Sequence, residues 1–268
     1  MPALNANANG DYYETGAGFT MPTSAGTYAT WFYPTSITAR QVLSIHTGTD
    51  SGLNWRADLA GKAFNGYRGG ATYATAGADA TAFAAYLGAN NWHFLAFTWS
   101  GSASKLYMGN RATPPAEPSS YSGGTTIIAT PTTTTSALRM MNDKPTTTRW
   151  LNGRMAMYAV YPRALAQFEL YQLWKGVQLP AATGFWLPGM NGTTNVPDYS
   201  GNGWTGTITS LDLADGPPVL MPWQQWHEEG ADYMVAAAPA GGQPTTKRWS
   251  GVPGMRIGGA AFGQGWGY

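Results

Sequence analysis

Apolar and polar positions alternate with a period of two through short runs of the first 160 residues, and turn residues break those runs apart. The runs are TYATWFYP (27–34), RQVLSIH (40–46), GLNWRADLA (52–60), NWHFLAFTWSG (91–101), SKLYMGN (104–110), TTIIAT (125–130), SALRMMN (136–142) and GRMAMYAVYP (153–162). Each predicts a strand, and the spacing is that of a sandwich or barrel rather than of βαβ units. In GRMAMYAVY, alternation puts Met155, Met157, Ala159 and Tyr161 on one face, with Ala156, Tyr158 and Val160 on the other. Both faces are apolar, which predicts a central strand covered on both sides.

Pro162 ends that strand, and the period then changes. In ALAQFELYQLW, Leu165, Phe168, Tyr171 and Trp174 recur at near-helical spacing, and Gly176 supplies a C-terminal stop. A helix of about three turns is marginal alone. It is therefore expected to bury Leu165, Phe168 and Trp174 against the sandwich, as a lid. Residues 1–10 are small and polar and predict a flexible arm. The Pro- and Ser-rich 113–124 and PTTTTS (131–136) read as long loops on composition alone.

From about residue 223 the periodicity fades into glycines, prolines and aromatics. Trp223, Trp226, Trp249, Phe262 and Trp266 are too many rings for a solvated linker, so 223–268 reads as an extended arm that folds back over its own sandwich or, the preferred reading, lies across a neighbouring subunit. Arg256, with Lys247 and Arg248, adds donors suited to carboxylates on a partner chain. The domain expected between the two arms is 11–222.

Composition narrows the class. Charged residues are only 11%, against roughly 25% in ordinary globular proteins, while Gly reaches 35, Tyr 15 and Trp 12. That mixture suits short strands and tight turns with aromatic filling between sheets. The net charge of +1 gives no electrostatic case for nucleic acid or an anionic membrane, and no apolar run reaches 18 residues. The start, MPALNANANGDYYETG, lacks the basic and apolar regions of a signal peptide, and there is no cysteine. The chain is thus expected to be made in a cytoplasm, without disulfides or thiolate metal sites, before any release on a particle.

The order of several segments resembles the laminin-G-like, concanavalin A-like jelly rolls. Trp92, His93, Ala96, Thr98, Leu106 and Tyr107 match the family's Trp-His strand and the Leu-Tyr strand after it. Trp31 and Pro34 match the early aromatic strand. Gly153, Arg163, Ala164, Leu165 and Glu169 match the closing strand with its short helix. The run from Asp198 through Ser200, Asn202 and Gly203 to Trp204 resembles the D-x-SGNG element of such domains, and its place after the helix is similar to phage-encoded members. The resemblance covers roughly residues 12–219. It departs at Met108-Gly109-Asn110, where the family has a hydrophobic-Asp-Gly turn. It implies an all-β, two-sheet antiparallel jelly-roll sandwich with one short terminal helix.

Candidate chemistry is sparse. Glycoside hydrolysis needs two carboxylates about 5 to 10 Å apart, as in the E-x-D-x-x-E strands of related glucanases. The five glutamates, Glu14, Glu117, Glu169, Glu228 and Glu229, do not form that pattern. His46, His93 and His227 show no zinc spacing, and no nucleophile elbow, P-loop or dinucleotide motif is present. His93 reads as a strand residue hydrogen-bonded beneath a loop. Asp198, Ser200 and Asn202 offer alternating oxygens for Ca²⁺, but position 209, where an EF-hand-like glutamate would stand, is Thr. The preferred reading is a Gly-rich turn in which Asp198 accepts backbone N–H groups. Trp55, Tyr67, Tyr73 and Trp99 are candidates for stacking on sugar rings, although most Trp of such a sandwich are core.

Three functions remain in order of preference. The first is a non-enzymatic structural virion protein of a tailed phage, a capsid decoration or surface subunit with virion subunits or its own copies as partners. The second is a glycan-binding module of a tail fibre or cell surface. The third is a glycoside hydrolase.

Overall fold

The computed structural model describes residues 2–8, 10–36, 40–46, 54–58, 63–67, 73–76, 88–101, 103–118, 135–142 and 150–217. These belong to one unit, Met1–Val219. The expected arm at 223–268 and the expected strand at 125–130 lie outside the described residues.

Two antiparallel sheets of seven strands each form the sandwich. The first runs β14 (Asp212–Asp215), β1 (Pro2–Ala6), β11 (Gly153–Tyr161), β3 (Ala25–Pro34), β8 (His93–Ser100) and β9 (Ala103–Asn110), with β12 (Gly184–Trp186) also on β11. The second runs β13 (Thr207–Thr209), β2 (Tyr12–Glu14), β10 (Leu138–Met140), β4 (Arg40–His46), β5 (Asn54–Asp58), β6 (Ala63–Tyr67) and β7 (Tyr73–Ala76). For β4 to β7 the structure describes the backbone pairing and the burial of Leu43. Expected strands at 27–34, 40–46, 52–60, 91–101, 104–110, 136–142 and 153–162 all appear, most with trimmed or shifted ends.

The N-terminal segment is not a flexible arm. Ala3, Leu4 and Ala6 are buried, and β1 is zipped between β11 (Leu4↔Met155) and β14 (Leu4↔Leu213). Small alternating side chains suit that slot, where a composition-based reading sees only polarity.

Strand β11 is central and covered on both sides, as its pattern predicts: Met155 to Tyr161 are fully buried. Its alternation is interrupted, however. The register with β3 shifts between Met155 and Met157, so Met155 opposes Phe32 while Met157 opposes Trp31. An extra residue in one strand moves the residues beyond it to the other face. Met155 therefore joins Tyr158 and Val160 in the inter-sheet core, not Met157 as strict alternation requires. Gly153 opens the strand with φ +149°, and a Cβ there would collide with the Tyr33 carbonyl.

The outer face of the first sheet is where the helix sits. Helix α1 (Gln167–Trp174) packs on β3: the Trp174 ring lies 6.4 Å from Trp31, whose indole N–H donates to the Trp174 carbonyl at 3.2 Å. The Trp174 indole in turn donates to the Asn110 carbonyl at 2.9 Å. The linker is pinned by Thr27, whose hydroxyl donates to the Arg163 carbonyl at 2.8 Å and accepts from the Leu165 N–H at 2.9 Å. The cap residue Ala166 has no side-chain oxygen, so Glu169 reaches back to its N–H at 2.9 Å. Arg163 grips the same carboxylate bidentately at 2.6 and 2.8 Å. Gly176 at φ +85° closes the helix, its N–H bonding to Leu173 and that of Val177 to Gln172.

Leu165 is buried and Trp174 half-buried, but Phe168 is 71% exposed and overturns the expected lid face. The helix buries Leu170 and Leu173 instead. At 100° per residue Phe168 stands about 160° from Leu170, so one helix cannot bury both against one sheet.

Substitutions on the two sides of the helix should differ in cost. Leu173→Ala should cost about 2–5 kcal/mol in chemical denaturation, whereas Phe168→Ala should stay within about 0.5 kcal/mol. Equal losses would mean the helix is docked in another phase. The hydrogen bonds from Arg163 lower the Glu169 carboxyl below its ordinary range, against the opposing effect of burial and with help from the Ala166 N–H. A depressed carboxyl stabilises the fold above its unfolded pKa, and that contribution disappears as pH falls through the folded value. Glu169→Gln should therefore cost about 1 kcal/mol at neutral pH, since Arg163 is partly exposed. The melting-temperature gap to the parent should close as the pH is lowered through the acid range. A gap constant with pH would show that the charge is irrelevant.

Candidate functional site

The core residues Tyr13, Leu138 and Met140 face the first sheet, so the alternate positions Tyr12, Glu14 and Arg139 face outward from the second. Glu14 and Arg139 are direct partners in the β2–β10 ladder. The Arg139 Nε donates to Glu14 Oε2 at 2.6 Å, and its guanidinium lies 3.7 Å from the centre of the Tyr12 ring. Although it stands on an outer face, Arg139 is only 8% exposed. Salt bridge and cation–π contact together hold the fork in one orientation. On the other side of β2, the half-buried Thr209 and exposed Thr207 pair with Tyr12 and Glu14.

The ladder extends this row across the sheet, first through the apolar Ile45. Arg139 pairs with Ile45, Ile45 with Asn54, Asn54 with Tyr67, and Tyr67 with Tyr73. The backbone register thus brings two of the stacking candidates, Tyr67 and Tyr73, into the row of Arg139. Trp55 falls into the row of Met140, by way of Ser44. The side chains of Trp55, Tyr67 and Tyr73 lie outside the described residues.

Trp99 is corrected by the structure. It is 2% exposed, stacked on Tyr28 at 5.0 Å and on Phe97 at 5.9 Å. Its strand partner is Gly26, where a Cβ would run into the indole. A ring that fills the space of a missing side chain inside the sandwich has no face for a sugar.

The Asp198 segment is a turn built around one carboxylate. Oδ1 accepts from the N–H groups of Phe185 (3.0 Å) and Ser200 (2.9 Å), and Oδ2 from the Trp204 N–H (3.0 Å) and the Ser200 hydroxyl (2.8 Å). Asn202 donates through its amide to the carbonyls of Ala182 and Thr183. Gly201 and Gly203, both at positive φ, let the chain curl tightly enough to aim those donors inward. Both Asp198 oxygens, the Ser200 hydroxyl and the Asn202 amide N–H groups thus serve the fold. Among the described residues no group of three His, Asp or Glu side chains is placed to hold a metal ion.

The described glutamates are each ion-paired: Glu14 with Arg139, Glu117 with Lys105, and Glu169 with Arg163, all at 2.6 Å. His93 is buried, with Nε2 2.8 Å from the Gly88 carbonyl beneath the 88–91 turn. Burial, the Glu117 charge and its hydrogen bond push the Tyr107 hydroxyl up to about 12. Sequence reasoning missed the Arg139 cluster. Its signal was an arginine between two core positions, in a strand only three residues long.

This architecture recurs in known structures. A Bacteroides ovatus protein described as a candidate carbohydrate binder superposes with a TM-score of 0.54 at 15% identity, over 80% of this chain and 60% of its own. The chain therefore spans about three fifths of that protein's length. A SAP-like pentraxin from Limulus polyphemus gives 0.45 at 8% identity, over 64% and 81% of the two chains. Tailspike protein 2 of an Escherichia coli O157:H7 bacteriophage gives 0.47 at 14%, over 70% and 28%. At such identities these likenesses concern the fold alone. No curated protein matches the sequence. Residues 7–170, more than half of the 268, match the family described as the concanavalin A-like lectin/glucanases superfamily, of laminin G type. The match starts inside the expected arm and ends in α1, short of the Asp198 turn, and over that span the chain belongs to this family.

Proposed function

We propose that this chain is a non-enzymatic glycan-binding module that takes sugar on the outer face of its second sheet. The observation that carries the reading is the row on that face. A held Arg139–Glu14 pair with its Tyr12 ring stands in register with Tyr67 and Tyr73. Polar groups fixed in place beside aromatic positions suit a ligand with hydroxyls at its rim and C–H groups on its faces. The corresponding face of the first sheet is partly taken by α1. Family membership and the description of the Bacteroides ovatus protein agree with a sugar ligand.

The non-enzymatic half rests on the carboxylates. Each described glutamate is committed to a cation, whereas glycoside hydrolysis uses a carboxyl free to hand its proton to the leaving oxygen.

A second reading is a structural virion protein of a tailed phage, a capsid decoration or surface subunit with its own copies or other virion subunits as partners. It is favoured by the order of the sequence motifs, with the Asp198 element after the helix. The two readings separate on copy number: a decoration protein recurs in a purified particle at the number of capsid sites.

A glycan array probed with the full chain should give hits that titrate with sub-millimolar affinity, and no hit at millimolar protein would sink the glycan reading. Incubation with the bound oligosaccharide should release no new reducing ends. Release that disappears in Glu14→Gln or Glu117→Gln would make the chain a hydrolase.

A further inference from the structure

We infer that the Tyr12–Glu14–Arg139 cluster is a subsite for the vicinal hydroxyls of an uncharged sugar, an inference that rests on the glycan-binding reading above. The argument starts from charge. Arg139 and Glu14 lie side by side at 2.6 Å, so the cluster carries no net charge. A carboxylate or sulfate placed on the guanidinium would sit against Glu14, and an ammonium placed on Glu14 would sit against Arg139. Either loses on one partner much of what it gains on the other. A pair of neutral hydroxyls has no such conflict, because each is both donor and acceptor.

Geometry adds direction. The bond to Glu14 uses Nε of Arg139 and Oε2 of the glutamate. Among the described residues no bond engages the two Nη groups or Oε1. One rigid pair therefore presents donors and an acceptor beside each other, the complement of two adjacent hydroxyls. Arg139 cannot swing away to pursue an anion, since Tyr12 lies under its plane at 3.7 Å and its side chain is only 10% exposed. Thr207, exposed in the same row, adds a hydroxyl at the rim. A preorganised pair with little rotamer freedom loses little entropy when a sugar docks, which matters for ligands that offer few apolar contacts.

The test uses the full chain with Glu14→Gln, Arg139→Lys and, as a control on the opposite sheet, Phe168→Ala. Each is titrated by calorimetry with neutral oligosaccharides and with uronic, sialylated and sulfated ones. The parent and Phe168→Ala should bind neutral glycans alike and prefer them to every acidic one. Glu14→Gln and Arg139→Lys should each lose at least tenfold in affinity. Glu14→Gln should also narrow the preference, because an anion no longer meets a carboxylate. That change in preference is a readout that loss of fold stability cannot imitate. Preference of the parent for acidic glycans, or neutral binding untouched by both substitutions, would overturn the subsite while leaving the module a glycan binder. Failure of the parent to bind any glycan would remove the functional reading, and this inference with it.

Discussion

Burial of β11 on both faces is the constraint on which the rest of the architecture depends. A strand whose residues from Met155 to Tyr161 are all fully buried needs an apolar layer above and below it. The second sheet supplies one layer, through Tyr13, Leu138 and Met140; on the outer face of the first sheet α1 packs on the neighbouring β3, with Leu170 and Leu173 buried. The helix is therefore not an ornament on an all-β fold. Without it, Trp31 would lose the Trp174 ring and carbonyl that meet it on the outer side of the first sheet. Its position directly after β11 gives it a short route back over β3, the strand paired with β11.

The polar groups inside this layer are arranged to satisfy one another. Thr30 donates its hydroxyl to the Met157 carbonyl at 2.7 Å beside the register shift, where ladder bonding is interrupted. Thr27 bonds on both sides of the turn that leads into the helix. Such bonds contribute about 1 kcal/mol each, but leaving their groups unpaired in this core would cost more. The Asp198 turn plays the same part at another edge, where one carboxylate gathers the N–H groups that free a tight glycine-rich curl from water.

Covering the first sheet with a helix also makes the two outer faces unequal. One is partly occupied by the chain itself. The other carries the Glu14–Arg139 ion pair with Thr207 in one row and Tyr12 with Thr209 in the row two residues along, held by ladder bonds and not by loops. Groups fixed on paired strands keep their geometry better than groups on loops, which is why the functional reading is placed on that face.

Periodicity by itself determined the longer strands, the two-sided burial of β11 and the presence of a helix after Pro162, because those depend on local alternation and on a proline that cannot continue a ladder; short strands such as β2, β12, β13 and β14 carry too few residues to show a period. The turn role of Asp198 was also legible, since Asp before Ser-Gly-Asn-Gly bonds to its own neighbours. Four matters were settled only by the tertiary fold. The slot between β11 and β14 turned a small, polar N-terminus into a strand. The register shift beside Ala156 separated Met155 from Met157. The approach of the helix chose Leu170 and Leu173 over Phe168. The space over Gly26 drew Trp99 inside. The Arg139 cluster belongs with these, because its members are 125 residues apart and meet only through the pairing of β2 with β10. Local sequence sets the period of a segment; which face is buried, and what lies beside it, is fixed by partners far along the chain.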